Sequence, residues 1–169
     1  IVEFSNRTFY QGELRVWTDY RQLKGTGTID GICWHDVKGD AVRHSKSAFN
    51  LQEARKISDL LKDILPRAIN SKASIGIVTP FRQQENKIKE IVLKEHAMSD
   101  LDKVDLKIDT AHGFQGDERD IIIFSPVVSE GIHDKTRGFL SSTQNLFNVA
   151  ITRPRAELHI VGDQAACAR

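Results

Sequence analysis

The stretch DLKIDTAHGFQGDERDIIIFSPV, residues 105–127, reads as two strands around one polar loop. Val104, Leu106 and Ile108 alternate with Asp105, Lys107 and Asp109, the period-2 pattern of a strand with one buried face. Ile121-Ile122-Ile123-Phe124 is instead an unbroken β-branched and aromatic run, the mark of a strand covered on both faces of a parallel sheet. Between them, Thr110 to Asp120 gathers a hydroxyl, an imidazole, a carboxamide, two glycines and several charges. Loops leaving the carboxyl ends of strands line the ligand crevice of open α/β sheets. Function is therefore expected in this loop.

Outward from that stretch, strands and helices alternate. Ser74 to Thr79 (SIGIVT) is a buried strand stopped by Pro80, and a helix follows from about Phe81 with Ile88, Ile91 and Val92 facing inward. Its first turn, Arg82, Gln83 and Gln84, should point at the crevice. Upstream, Asn50 caps a helix in a box-like arrangement with Glu53, and Leu51, Ala54, Ile57, Leu61, Ile64, Leu65 and Ala68 recur every three or four residues. Pro66 is expected to bend that helix or end it early. Residues 29–37 read as a strand, residues 38–50 as a solvated loop, and residues 1–24 as a short helix with an irregular connection. Gly25-Thr26-Gly27-Thr28 reads as a turn. It lacks the Lys-Ser/Thr ending of a phosphate loop and precedes a strand rather than a helix. Downstream, His96 to Lys103 reads as a linker, residues 128–142 as a mobile loop, residues 144–152 as a helix ended by Pro154, and residues 158–163 as the last strand. This alternation predicts an α/β fold with a mostly parallel sheet and helices on both faces.

The totals fit one domain of 169 residues with 40% hydrophobic and 28% charged residues. No apolar run approaches the roughly 20 residues of a membrane helix, so no membrane partner is expected. With 24 Lys+Arg against 23 Asp+Glu there is no global basic field, and any nucleic-acid binding has to be local. Cys33 and Cys167 stand far apart, which argues against a disulfide scaffold and a zinc site, and for a reducing compartment. The opening Ile1-Val2-Glu3-Phe4 has no initiator Met, so a fragment of something longer is expected.

Three separated stretches line up with one pattern. Gly76-Ile77-Val78-Thr79-Pro80-Phe81 with Gln84, then Thr110-Ala111-His112-Gly113-Phe114-Gln115-Gly116-Asp117-Glu118-Arg119-Asp120, then Asn148-Val149-Ala150-Ile151-Thr152-Arg153-Pro154-Arg155 through Val161-Gly162-Asp163 resemble motifs IV, V and VI of superfamily 1 helicases. The likeness is to the branch that includes the nonsense-mediated-decay helicase and the helicase half of the replication nuclease-helicase. Phe4-Ser5-Asn6 with Phe9, Tyr10, Gly12 and Leu14 resembles the sequence that follows motif III there.

The resemblance implies that residues 1–169 are the second, C-terminal RecA-like domain of an ATP-dependent DNA or RNA helicase. In that family ATP and Mg²⁺ are held mainly by the first RecA-like domain, which also supplies the catalytic base. Nothing in this sequence reads as GxxxxGKT or as a DExx box, so the segment alone should be inactive. Arg153 matches the motif VI arginine and is implied as the arginine finger. Gln115, Gly116, Glu118 and Arg155 are implied at the nucleotide, with Glu118 on the ribose. Thr79, Pro80, Thr110 and His112 are implied on the backbone of single-stranded nucleic acid. Asn148 and Thr152 either contribute or simply cap and pack their helix. No metal ligand is expected in this chain. The partners implied are a nucleic-acid strand and an N-terminal RecA-like domain, in the cytoplasm or nucleus. Pro154 departs from the small residue common between the two arginines, and the family's adenine-stacking aromatic would lie before Ile1. The alternative is a non-catalytic RecA-like domain that binds nucleic acid or protein.

Overall fold

The computed structural model describes residues 23–27, 31–44, 47–130, 138 and 144–168, with backbone alone at 44 and 144–147. The helix expected in residues 1–24, the bulk of the loop expected at 128–142 and the Phe4–Leu14 likeness lie outside these residues. Among the described residues, seven strands and five helices follow in chain order: β1 (Ile32–Asp36), β2 (Val42–His44), β3 (Ser47–Phe49), α1 (Leu51–Ser71), β4 (Ile75–Thr79), α2 (Arg82–Glu95), α3 (Met98–Lys103), β5 (Lys107–Thr110), β6 (Arg119–Phe124), α4 (Gln144–Thr152), β7 (Pro154–Gly162) and α5 (Gln164–Cys167).

Five strands make one sheet in the order β1-β7-β6-β4-β5, with every neighbouring pair parallel. The run Ile121–Phe124 is apolar throughout because β6 is central and its side chains go alternately to both faces. On one face Ile121, Ile123, Ile75, Ile77 and Val161 pack against Ile57, Leu61, Ile88, Val92 and Leu101 of α1, α2 and α3. On the other, Ile122, Phe124, Val78, Leu158 and Ile160 meet Ala111, Phe114, Ala150 and Ile151. The parallel α/β architecture is the expected one.

Its details correct the sequence reading in several places. β5 begins at Lys107, not Val104, because Asp105 takes φ 44° and breaks the strand. α1 runs through Pro66 to Ser71 and closes on Lys72 at φ 55°, whose N–H meets the Ala68 and Ile69 carbonyls. Burial of Ile64, Leu65 and Ala68 on either side of the proline outweighs the lost hydrogen bond. The linker expected at 96–103 contains α3, held by the buried Leu101. The loop expected at 38–50 contains the antiparallel pair β2–β3. β7 starts four positions early, on Pro154, which a first strand position tolerates.

Asn50 does cap α1: its Oδ1 accepts the Gln52 and Glu53 N–H groups at 3.0 and 3.2 Å. The return bond of a capping box is absent. Asn50 donates its own N–H to Gln84 Oε1 at 2.8 Å, and the Glu53 carboxylate instead accepts from Ser125 Oγ at 2.5 Å and from the Val127 N–H at 3.0 Å. Val127 has φ 59°, uncommon for a β-branched residue, and this bond anchors its amide. Gln84 therefore does not face a crevice: it is fully buried and bridges the Asn50 carbonyl and Ser125 Oγ. Arg82 lies across Glu85 at 2.8 Å, and the Gln83 N–H goes to Ser47 Oγ at 3.2 Å.

Burial pushes the Glu53 carboxyl from 4.5 up to about 8, against the pull of its bonds from Ser125 and Val127. The fold thus favours the neutral acid. That contribution is complete below about pH 4.5 and is lost as pH rises toward 8. Chemical denaturation at pH 6 and pH 9 should show wild type weaker at the higher pH, and Glu53→Gln should flatten the difference. An equal drop in both proteins would refute this assignment.

Candidate functional site

The loop between β5 and β6 is a crossover. These strands are parallel and β4 lies between them in the sheet, so residues 111–118 travel from the carboxyl end of β5 to the amino end of β6. A parallel crossover commonly takes about a dozen residues and a helix. Here consecutive turns do it, lying directly on β4. Phe114, fully buried, is the contact. A Cβ at Gly76 would come within 2.9 Å of the Phe114 ring and 2.7 Å of Ile122 Cδ1, so glycine at 76 makes the seat for that ring. Gly113 leaves room for the Asp109 carboxylate. Gly116 has φ 83° with open space around it; glycine is needed there for the backbone, not for clearance.

Three charged residues that the motif reading passed over hold the crossover in shape. Lys107 Nζ donates to the Gly113 carbonyl at 2.7 Å and to Asp117 at 3.0 Å, and lies 4.9 Å over the Phe114 ring. Arg119 Nη1 donates to Asp117 Oδ1 at 2.5 Å. The hydrogen bond from Lys107, aided by Arg119, holds the Asp117 carboxyl below its ordinary range. Their signal in the sequence was only alternation of charge, which many solvated loops share.

At the amino edge, Glu118 and Arg155 face each other, Oε2 to Nε 3.3 Å, both more than half exposed. Asp120 lies 3.9 Å from Arg155. The Arg119 N–H donates to the Arg153 carbonyl at 3.2 Å, which joins this end of the crossover to the α4–β7 junction. The half-buried Arg153 side chain folds back over α4: Nε donates to the Val149 carbonyl at 3.2 Å and Nη2 to Thr152 Oγ1 at 3.0 Å. A guanidinium at a helix C-terminus satisfies carbonyls that lack partners there. Thr152 Oγ1 donates to the Asn148 carbonyl at 2.8 Å, so its hydroxyl packs the helix. Gln115 and Gly116 are exposed on the same crossover.

The other candidates occupy the opposite edge. Thr79 and Thr110 are register partners at the carboxyl ends of β4 and β5. His112 is exposed, Thr110 is 8% exposed, and Thr79 and Pro80 are buried. Thr79 Oγ1 sits 3.5 Å from the Phe81 N–H. The side chains of Thr79 and Pro80 are thus covered, next to the start of α2, whereas His112 and the rim of Thr110 reach solvent. The sequence reading looks to the carboxyl ends, but Glu118 lies at the amino end of β6, where the crossover delivers it, and Arg153 and Arg155 lie beside it at the amino end of β7.

One string does fit the letters of a DExx box, contrary to the sequence reading: Asp117-Glu118-Arg119-Asp120. Asp117 is committed to Lys107 and Arg119, and Asp120 accepts from the Ser74 N–H and Oγ, both at 2.8 Å. These carboxylates are structural. The turn at Thr26 and Gly27 does hold an anion, but it is the buried carboxylate of Glu157, which accepts from Thr26 Oγ1 at 2.9 Å and the Gly27 N–H at 3.2 Å. Burial would raise the Glu157 carboxyl; bonds from His159, Thr26 and Gly27 bring it below its ordinary range.

A family described as "AAA domain" matches residues 1–165. The chain is 33% identical over 184 residues to the putative helicase mov-10-B.1 of Danio rerio, covering 96% of this chain and 18% of that protein. It is 30% identical over 185 residues to the DNA polymerase alpha-associated DNA helicase A of Saccharomyces cerevisiae, covering 96% and 26%. It is 35% identical over 181 residues to the RNA helicase Mov10l1 of Homo sapiens, covering 96% and 14%. The chain thus spans a quarter or less of the length of most of these relatives, and 26% at the most. With motifs IV, V and VI laid along one parallel sheet and this match across 165 residues, the chain belongs to the AAA domain family as a RecA-like domain of the superfamily 1 helicases, in the branch of the nonsense-decay and replication helicases.

Proposed function

We propose that this chain is the second, C-terminal RecA-like domain of an ATP-driven helicase or translocase, and that it works only together with a first RecA-like domain. The observation that supports this reading is the crossover 111–118, which starts beside Thr110 and His112 and ends on Glu118, against Arg155 and next to Arg153. One short, tightly packed segment thereby links a rim able to meet a sugar-phosphate backbone with a rim able to meet a nucleotide. Exposed His112, Thr110 and backbone groups suit a strand bound without reading its bases.

ATP supplies the phosphoryl group, whose transfer spreads negative charge over the moving oxygens. Arg153 uses two of its five N–H donors on α4 and swings from that helix end toward the charge. Arg155 leaves Glu118, which is then free to accept from a ribose hydroxyl, while Gln115 and the Gly116 N–H reach phosphate. Mg²⁺ is assigned to the first domain, since Asp117 and Asp120 are already engaged. Closing and reopening of two domains around ATP moves the strand by a hinge mechanism. Two free thiols, Cys33 and Cys167, suit an intracellular, reducing compartment, and no helix among the described residues is long and apolar enough to cross a membrane.

Nucleic-acid-stimulated ATPase of the full-length protein tests the reading, with DNA and RNA single strands as separate arms. Stimulation by either is expected. No stimulation by both would favour the second reading, a non-catalytic binding domain, to which the capping bonds of Arg153 also belong. Glu118→Gln should weaken nucleotide binding by roughly tenfold, the scale of one hydrogen bond to a charged group. The same change should leave unfolding free energy within about 1 kcal/mol, because the Glu118–Arg155 pair is solvent-screened. Unaltered nucleotide affinity would remove Glu118 from the site.

A further inference from the structure

Away from both rims, β1 and β7 carry a cluster that nucleotide and strand binding leave unused. Cys33 and His35 are two apart on β1 and share a face of the sheet, and the parallel register sets His159 beside Cys33. The His35 and His159 rings stack with centroids 5.3 Å apart and planes 21° apart. His35 Nε2 is 3.0 Å from His159 Nδ1. One donor atom from each of Cys33, His35 and His159 lies within 4.8 Å of the others.

We propose that Cys33 Sγ, His35 Nε2 and His159 Nδ1 form a site for a divalent transition ion of the zinc class, which clamps the outer strand β1 onto β7. One thiolate and two imidazoles are the donor types zinc selects, at bonds of about 2.0–2.3 Å, with a fourth tetrahedral position left for water. Bonds of that length put donors about 3.3–3.8 Å apart; the two histidine nitrogens stand at 3.0 Å and all three donors within 4.8 Å of one another, so side-chain shifts of about 1 Å or less complete the site.

The second observation lies behind His159. Its Nε2 is 3.4 Å from Glu157 Oε2, and Glu157 is fixed in turn by Thr26 and Gly27. A carboxylate on the far nitrogen of a ligating histidine sets its tautomer and ring orientation. It leaves the Nδ1 lone pair of His159 aimed at the other two donors. A stacked histidine pair alone would need neither the thiol nor this carboxylate relay. When the ion enters, the Cys33 S–H bond loses its proton to solvent, and the proton that His35 Nε2 shares with His159 moves through solvent to His35 Nδ1. No electron changes hands.

The test uses the full chain without a polyhistidine tag, stripped with a chelator and titrated with Co²⁺ and then Zn²⁺. One Co²⁺ per chain is expected, with a thiolate-to-cobalt band in the near ultraviolet and the visible bands of a tetrahedral ion, all displaced by Zn²⁺. Cys33→Ser should abolish the thiolate band and weaken binding at least about 100-fold, and Glu157→Gln should weaken it by about 10–100-fold with the spectrum retained. Cys167→Ser should change neither. Zn²⁺ should raise the melting temperature of wild type but not of Cys33→Ser or Cys33→Ala. Absence of Co²⁺ binding in wild type, a thiolate band that survives in Cys33→Ser, or equal Zn²⁺ stabilisation of wild type and both Cys33 variants would each overturn the site.

Discussion

Arg153→Ala in the full-length protein should lower nucleic-acid-stimulated ATP turnover by about 10³-fold or more, the contribution of an arginine finger to phosphoryl transfer. The fold should lose far less. The Arg153 guanidinium makes two hydrogen bonds to the end of α4, each worth roughly 0.5–1.5 kcal/mol net, so the variant stays folded at low temperature and its rate can be read. Arg153→Lys keeps the charge but not the planar fork, and should recover little of the rate. The comparison also separates two roles for one side chain. A purely capping arginine would give the same small stability loss with turnover within a few-fold of wild type, and that result would end the finger assignment.

Phe114→Ala should be the most destabilising single change in the motif V segment, at about 3–5 kcal/mol. Phe114 is fully buried among Val78, Ala111, Ile122 and Phe124, and it is the side chain by which the crossover is pinned to β4. With domain stabilities of roughly 5–15 kcal/mol in total, that loss leaves a marginal protein. Gly76→Ala attacks the same contact from the opposite side: the added Cβ meets Ile122 and Phe114 at 2.7 and 2.9 Å, and overpacking of this kind costs about 1–3 kcal/mol. Urea unfolding of both variants decides the matter. A loss below about 1 kcal/mol for Phe114→Ala would mean that the crossover is held by the Lys107–Asp117–Arg119 bonds rather than by the ring. In that case Asp117→Asn, which weakens those bonds, should show the larger loss.

Local pattern carried the elements whose signal was apolar and continuous. Ile75–Thr79 and Ile121–Phe124 are strands because β-branched runs bounded by turns have no better use, and α1 is where its three-and-four spacing puts it. Local pattern failed where a contact remote in sequence decided the outcome. Pro66 was absorbed by packing on both sides of it, and Glu53 gave up its capping bond for Ser125 and Val127, more than 70 positions away; β5 was shortened more locally, by Asp105 at φ 44° in the turn that follows α3.

The motifs themselves were legible, and with them the family and the parallel α/β sheet, because order and spacing along the chain are properties of the sequence. Which rim each residue occupies was not. The amino-edge position of Glu118 follows from the direction of a crossover across β4, its meeting with Arg155 follows from the pairing of β6 with β7, the withdrawal of Thr79 from solvent follows from the packing of α2, and the meeting of Cys33 and His35 with His159 closes a separation of 124 positions between the two histidines. A sequence fixes which groups are present and how they recur. Only the closed sheet, through strand order and register, fixes the distances on which charge pairing, burial and metal coordination depend.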